Sequence, residues 1–234
     1  NLNHATPAAF YCHQASRNNY YEIGQEMVAS DFDYFAGGAL LDPEGENGDQ
    51  VSVYDLAEDA GYKVVTTQAE AEKVSAEDEK VVIVGETLAD SDSLSYENDR
   101  ANGEWALSDY VSKGIEVLED NDKGFFMMVE GGKIDWACHA NDAGSTINDT
   151  IALADAVDEA VAFANEHPDE TLILVTGDHE TGGLTIGYAG TDYDTYLTNL
   201  SNQKISYAKF DSDYVTKYKA EQTPFETMMQ DVEE

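Results

Sequence analysis

Short apolar runs alternate with amphipathic stretches along this chain, and that alternation restricts the fold more than any other feature. The runs are Phe32–Phe35, Tyr62–Val65, Val81–Val84, Phe125–Val129 and Leu172–Val175. The last three are continuous, the pattern of strands buried on both faces in a parallel sheet. The first two are interrupted by Asp33 and Lys63 and carry a weaker strand signal. Between the runs lie helical patterns over Glu22–Ala29, Val53–Ala60, Ser108–Leu118 and Thr146–Ala164. In the last of these, Ile147, Ile151, Ala154, Val157, Val161 and Ala164 follow three-and-four spacing, which predicts a buried stripe opposite the acidic side chains. Strand and helix alternating in this way predict an α/β fold, a mainly parallel sheet with helices on both faces.

The chain has 234 residues, 42% of them hydrophobic, enough for a core in one large domain or two small ones. Charge is the unusual quantity. Twelve Lys and Arg stand against 48 Asp and Glu, a formal net charge of −36. So negative a surface excludes nucleic acid as a partner, because phosphates are neutralised by basic side chains. Anionic membrane surfaces are excluded on the same ground. The acids are scattered, as at Asp31, Asp33, Glu70, Glu72, Asp155, Asp158, Asp169 and Glu170. Scattered acidity around an ordinary core predicts a halophilic surface: at about 1 M salt the Debye length shrinks to about 3 Å and the repulsion is screened. No stretch reaches the roughly 20 apolar residues of a membrane span. Asn1 is not a native start and no signal peptide precedes it, so a processed or cut chain is expected. Cys12 and Cys138 leave a single bridge and two buried free thiols both open, and Cys138 reads as structural.

Residues 1–234 read as one partial domain. Leu41–Gln50 is turn-rich and Asp90–Gly103 is a polar loop. Over 187–220 the chain turns tyrosine-rich and polar, an expected excursion or insertion whose tyrosines cover local surface. Thr223-Pro224-Phe225-Glu226 has a capping-box pattern with Pro at the first helical position, and Thr6-Pro7 is a second helix-start signal.

Two segments carry the chemistry: Glu130-Gly-Gly-Lys-Ile-Asp135-Trp-Ala-Cys-His139 and Thr176-Gly-Asp178-His179-Glu180-Thr-Gly-Gly. Each places carboxylates and an imidazole in a glycine-bearing segment directly after an apolar run. Carboxylate oxygens with neutral imidazole nitrogens suit zinc, and all-oxygen positions suit magnesium. Asp135 and His139 stand four apart, so one helical turn puts both on a single face. In open parallel sheets ligands bind at the carboxyl ends of strands, where both segments are expected to lie. His167 falls at a helix end and is explained by a favourable dipole interaction.

Taken together, His4-Ala-Thr6-Pro-Ala-Ala, Cys12-His13-Gln-Ala-Ser-Arg17, Glu130 to His139 and Thr176 to Gly183 resemble the alkaline phosphatase family of metal-dependent phosphomonoesterases. The pieces occur in family order and reach to about residue 190, so the chain resembles the central portion of such an enzyme, an incomplete alkaline-phosphatase-like fold. The resemblance implies two Zn²⁺ and one Mg²⁺. Asp135 and His139 match ligands of one zinc, Asp178 and His179 match ligands of the other, and Thr6 and Glu130 match ligands of magnesium. Arg17 matches the guanidinium that clamps phosphate, while His4 and Trp136 match variable positions around the metals. The family further implies phosphomonoester substrates and a periplasmic or extracellular location. Further chain segments or a homodimer partner are the expected associates. The family's nucleophilic serine sits in an Asp-Ser-Ala segment that this sequence lacks, as it lacks a later His-Thr segment that completes one zinc site. The resemblance therefore implies phosphomonoester hydrolysis in a complete molecule and little activity in this chain alone. The competing expectation is a non-catalytic acidic fragment that collects cations.

Overall fold

The computed structural model describes residues 1–184 and 196–233. The chain divides into two compact units. The first comprises residues 1–95, 100–131 and 150–176; the second comprises 96–99, 132–149 and 177–234.

The first unit opens with α1 (Ala5–Ala9) and α2 (Tyr20–Ala29), then β1 (Tyr34–Gly37), α3 (Val53–Asp59), β2 (Lys63–Val65), α4 (Gln68–Ala71), β3 (Val81–Val84) and α5 (Leu107–Leu118). The strands form a parallel sheet in the order β1-β3-β2, with Tyr34 opposite Val81 on one side of β3 and Lys63 opposite Val81 on the other. Paired on both sides, β3 has all four residues buried, as a continuous apolar run requires. Its side chains alternate between two cores. Val82 and Val84 join Leu2, Met27, Phe35 and Val53 on one face. Val81 and Ile83 join Val65, Val74, Tyr110 and Val117 on the other. Helices thus cover both faces, α2 and α3 on one and α5 on the other. The expected α/β class and parallel sheet hold for this unit.

Close packing explains two of its residues. Gly24 in α2 meets Val53, whose methyl carbon would stand 2.9 Å from an added Cβ. Tyr34 sends its hydroxyl 2.7 Å to the Tyr110 carbonyl, tying β1 to α5. Beyond the ends of β2 and β3 lies a cavity of about 430 Å³ bordered by Gln68, Glu72, Glu86, Glu104, Trp105 and Tyr110. No residue singled out as a metal ligand lines it.

Three expectations fail here. Phe125–Val129 and Leu172–Val175 join no ladder among the described residues. Phe126 is 72% exposed, and Leu172 and Leu174 are each 80% exposed. A strand is stable only when a neighbour takes up its main-chain groups, and apolar composition does not supply that neighbour. The helix over 146–164 is present as part of α7 (Ala143–Glu166), but its stripe is not buried: Ile151 and Val161 are exposed while Ala156 is covered. At about 100° per residue, Ala156 lies on a different side of the helix from the stripe.

The second unit contains α6 (Gly132–His139) and the start of α7, followed after the undescribed residues by α8 (Tyr207–Phe210), α9 (Thr216–Glu221) and α10 (Phe225–Glu233). Residues 211–215 between α8 and α9 form a wider helical turn. The tyrosine-rich excursion is thus largely helical where described, and residues 185–195 of it lie outside the described residues. Its aromatic rings stack locally, Phe210 on Tyr214 at 5.3 Å. Asp142 organises this unit. Its carboxylate accepts bonds from Ser145 N, Ser145 Oγ, Gln203 Nε2 and Tyr207 N. Burial works against the charge, but these four donors together hold the carboxyl below its usual range. The capping box expected at Thr223 does not form, since the Thr223 hydroxyl is buried without a partner although a helix begins at Phe225.

Candidate metal centre

The candidate residues divide between the units. His4, Thr6, Arg17 and Glu130 belong to the first; Asp135, Trp136, His139, Asp178 and His179 belong to the second. In the first unit, Arg17 is exposed and its NH2 lies 3.1 Å from His4 Nε2. A guanidinium can only donate, so that imidazole nitrogen is the acceptor. Thr6 sits inside α1, and Glu130 follows the Phe125–Val129 run; both are half-buried.

In the second unit, α6 delivers the pair expected from spacing. Asp135 Oδ2 and His139 Nε2 are 3.6 Å apart on the accessible side of the helix. Asp178 Oδ2 and His179 Nε2 are 3.4 Å apart, although adjacent residues ordinarily diverge; the chain bends at Asp178. Gly182, with φ of +77°, returns the chain so closely past α6 that a Cβ there would strike the Cys138 carbonyl, which accounts for glycine at that position.

One residue joins the two pairs, and sequence reasoning did not single it out. Thr181 donates its hydroxyl proton to Asp135 Oδ1 at 2.7 Å, and the same oxygen lies 3.0 Å from His179 Nδ1. His179 Nδ1 is also 3.1 Å from the Glu180 carbonyl. Since that carbonyl only accepts, Nδ1 is the donor there, and Nε2 is the ring nitrogen turned to Asp178. This is the arrangement in which a ligating imidazole is oriented through its other nitrogen. The signal for Thr181 was its place two residues after His179 in a tight glycine-bearing turn.

The donor set can be tested against zinc. Bonds of about 2.0–2.1 Å in a tetrahedron place neighbouring donors about 3.3 Å apart. Separations of 3.4 Å and 3.6 Å match two ligands sharing one ion. Each pair supplies two of four positions, and among the described residues no three His, Cys, Asp or Glu side chains gather as a ready cage. Trp136 lies beside the pair on α6 with its ring over Lys133. Both cysteines are free thiols, Cys138 Sγ lying 3.6 Å from Thr146 Oγ1. His167 lies just past α7 and stacks on Phe163 at 4.4 Å.

An α/β fold carrying carboxylate–imidazole pairs of zinc-ligand spacing is suited to holding metal ions, and comparison with known proteins shows the family. The alkaline phosphatase family profile matches residues 34–234. The chain belongs to the alkaline phosphatase family. It is 33% identical over 195 residues to alkaline phosphatase 4 of Bacillus subtilis, covering 81% of this chain and 40% of that protein. The cold-active alkaline phosphatase of Shewanella sp. superposes with a TM-score of 0.78 at 32% identity, over 92% of this chain and 50% of its own. The enzyme of the Antarctic bacterium TAB5 gives a TM-score of 0.70 at 34% identity, over 84% and 56%. One solved variant of that enzyme is described with Mg bound. The chain thus spans about half the length of the relatives it matches.

Proposed function

We propose that the chain supplies the cation-binding and phosphate-gripping half of a phosphomonoesterase. The observation that carries this reading is the Thr181-bridged array, in which Asp135 and His139, Asp178 and His179 stand as two oriented pairs. Asp135 with His139 and Asp178 with His179 would each hold a zinc ion, and Thr6 with Glu130 would hold magnesium. Such ions, when bound, supply Lewis acidity and positive charge at phosphoryl oxygens. The chain's own groups do the rest. Arg17 presents a planar fork that grips two non-bridging oxygens, and His4 steadies it from behind by accepting one of its N–H bonds. Thr181 fixes the Asp135 carboxylate and faces His179 Nδ1. On a chain of −36 net charge, Arg17 and the cations provide the local attraction a phosphate needs.

The sequence offers no serine in an Asp-Ser-Ala setting, so the nucleophile is assigned to family sequence outside these 234 residues. A homodimer partner or further chain segments complete the site in this reading, in a periplasmic or extracellular setting. The test is hydrolysis of p-nitrophenyl phosphate with zinc and magnesium supplied. The 234 residues alone should turn over negligibly, because direct attack by water forgoes a positioned nucleophile and the covalent intermediate. Activity should appear when the chain is extended to the relatives' full length, and Arg17→Ala should then reduce it. Robust hydrolysis by the 234-residue chain would place the nucleophile within it. Absence of activity from the extended molecule would leave only cation collection.

The scattered acids belong to the same proposal as a salt-adapted surface. The melting temperature should rise by several degrees between low salt and molar sodium or potassium chloride, as screening relieves repulsion among 48 acidic groups. A flat or falling profile removes the halophilic reading.

A further inference from the structure

Helix α6 has two opposed faces. At about 100° per residue, Asp135 and His139 lie close together and roughly 160–240° around from Lys133 and Ala137. Lys133 and Ala137 are the buried residues of this helix. Ala137 is unremarkable there; a lysine only 8% exposed is not, because burying an ammonium is costly unless its surroundings compensate. The surroundings do. Lys133 Nζ lies 4.0 Å from the centroid of the Tyr96 ring and 4.2 Å from that of Trp136. Tyr96 is fully buried, so one of these rings is fixed by the core of the unit. Asp149, 8% exposed, lies close enough to feel the Lys133 cation. Asp149 Oδ1 accepts the Glu97 N–H at 3.4 Å, and its Oδ2 is buried with no hydrogen-bond partner.

We propose that Lys133 is a positioning residue for the Asp135–His139 pair, its ammonium lying against the buried Tyr96 ring so that the rotation of α6 keeps Asp135 within reach of the Thr181 hydroxyl. The inference rests on the ligand reading given above for Asp135 and His139. An apolar side chain at 133 would fill the same space but tolerate rotation or sliding of an eight-residue helix. A cation against the Tyr96 ring, which lies outside α6, does not, because cation–π interactions fall off with small displacements. Hydrogen bonds that orient metal ligands, as the Thr181–Asp135 bond does, are worth about 10-fold or more in metal affinity.

The experiment measures zinc binding to the chain by calorimetry alongside its thermal stability. Lys133→Met keeps the stem and removes the charge. It leaves Asp149 without that cation and costs some stability, so binding is measured at a temperature where both proteins remain folded. Zinc affinity should then fall about 10-fold, and Lys133→Arg, which restores a cation against the rings, should recover it. Lys133→Gln provides a second neutral replacement if the methionine variant fails to fold. Unchanged affinity in the neutral variants, or equal loss in the arginine variant, overturns the inference. Asp135→Ala is the control that separates the two claims. Loss of zinc in Asp135→Ala without loss in Lys133→Met rejects only the positioning role, whereas retention in Asp135→Ala rejects the ligand assignment beneath it.

Discussion

Val81–Val84 and Leu172–Val175 read VVIV and LILV, nearly the same sequence, and they meet opposite ends in the folded chain. The first is the central strand of the sheet, from 0% to 7% exposed. The second joins no ladder among the described residues, and two of its leucines face solvent across most of their surface. Hydrophobicity is equal in the two, so it does not decide the outcome. What differs is the neighbourhood. Val81–Val84 has Tyr34–Gly37 on one side, Lys63–Val65 on the other, and a helical layer above and below. A parallel strand draws its stability from those four directions at once, and a run deprived of them leaves both its peptide groups and its side chains uncovered. Phe125–Val129 stands between the extremes: Phe126 is exposed but stacks on Phe10 at 5.9 Å, and Phe125 meets Phe163 edge-on at 5.5 Å.

Truncation should expose the contrast most clearly. Ile83→Ala removes a side chain 1% exposed and should cost about 2–5 kcal/mol in urea unfolding, the range for emptying a packed core site. A cost below about 1 kcal/mol would mean that the sheet is not the stable centre of its unit.

A buried charge gives the next effect, with the opposite sign. Burial pushes the Asp149 carboxyl up to about 7, with the nearby Glu97 and Asp99 charges adding to the rise and Lys133 and the Glu97 N–H opposing it. An acid whose folded pKa is raised loses stability as pH climbs from its unfolded value near 4 towards 7. Asp149→Asn escapes that loss. The variant should match the parent near pH 4 and exceed it by on the order of 2 kcal/mol at pH 8, measured by urea unfolding at both values. A parent equal to or more stable than Asp149→Asn at pH 8 would show that the carboxylate is well accommodated.

The smallest effect is the most pointed. Leu174→Ser alters a side chain already 80% in water and should change stability by less than about 0.5 kcal/mol. A loss comparable to that at Ile83 would mean that the LILV run is covered in solution.

The same contrast shows what the sequence made legible. Sheet strands at 34–37, 63–65 and 81–84 and helices at 20–29, 53–59 and 107–118 lie within about two residues of their expected places, because each has its partners nearby in the chain. The apolar stripe through Ile151 and Val161 was legible as periodicity but not as burial, since periodicity says which residues share a face and not what that face meets. At the site, Asp135 and His139 followed from helical spacing. The convergence of Asp178 with His179 and the bridge through Thr181 depended on a turn whose path no residue pattern specifies. Lys133 was missed for a simpler reason: a lysine ordinarily belongs to the surface, and only the two rings around it reveal otherwise.

The Thr181 bridge also has a thermodynamic meaning. Its hydroxyl has a single proton, given to Asp135 Oδ1, while its oxygen faces His179 Nδ1. A cation drawing charge from Asp135 weakens that acceptor and frees the hydroxyl to turn, which alters how firmly the His179 ring is held. The reverse follows for a cation drawing on His179. If the two pairs hold ions as proposed, occupancy at one and affinity at the other would be coupled, and by linkage the factor would be the same in both directions. Two ions would then load this chain as correlated events.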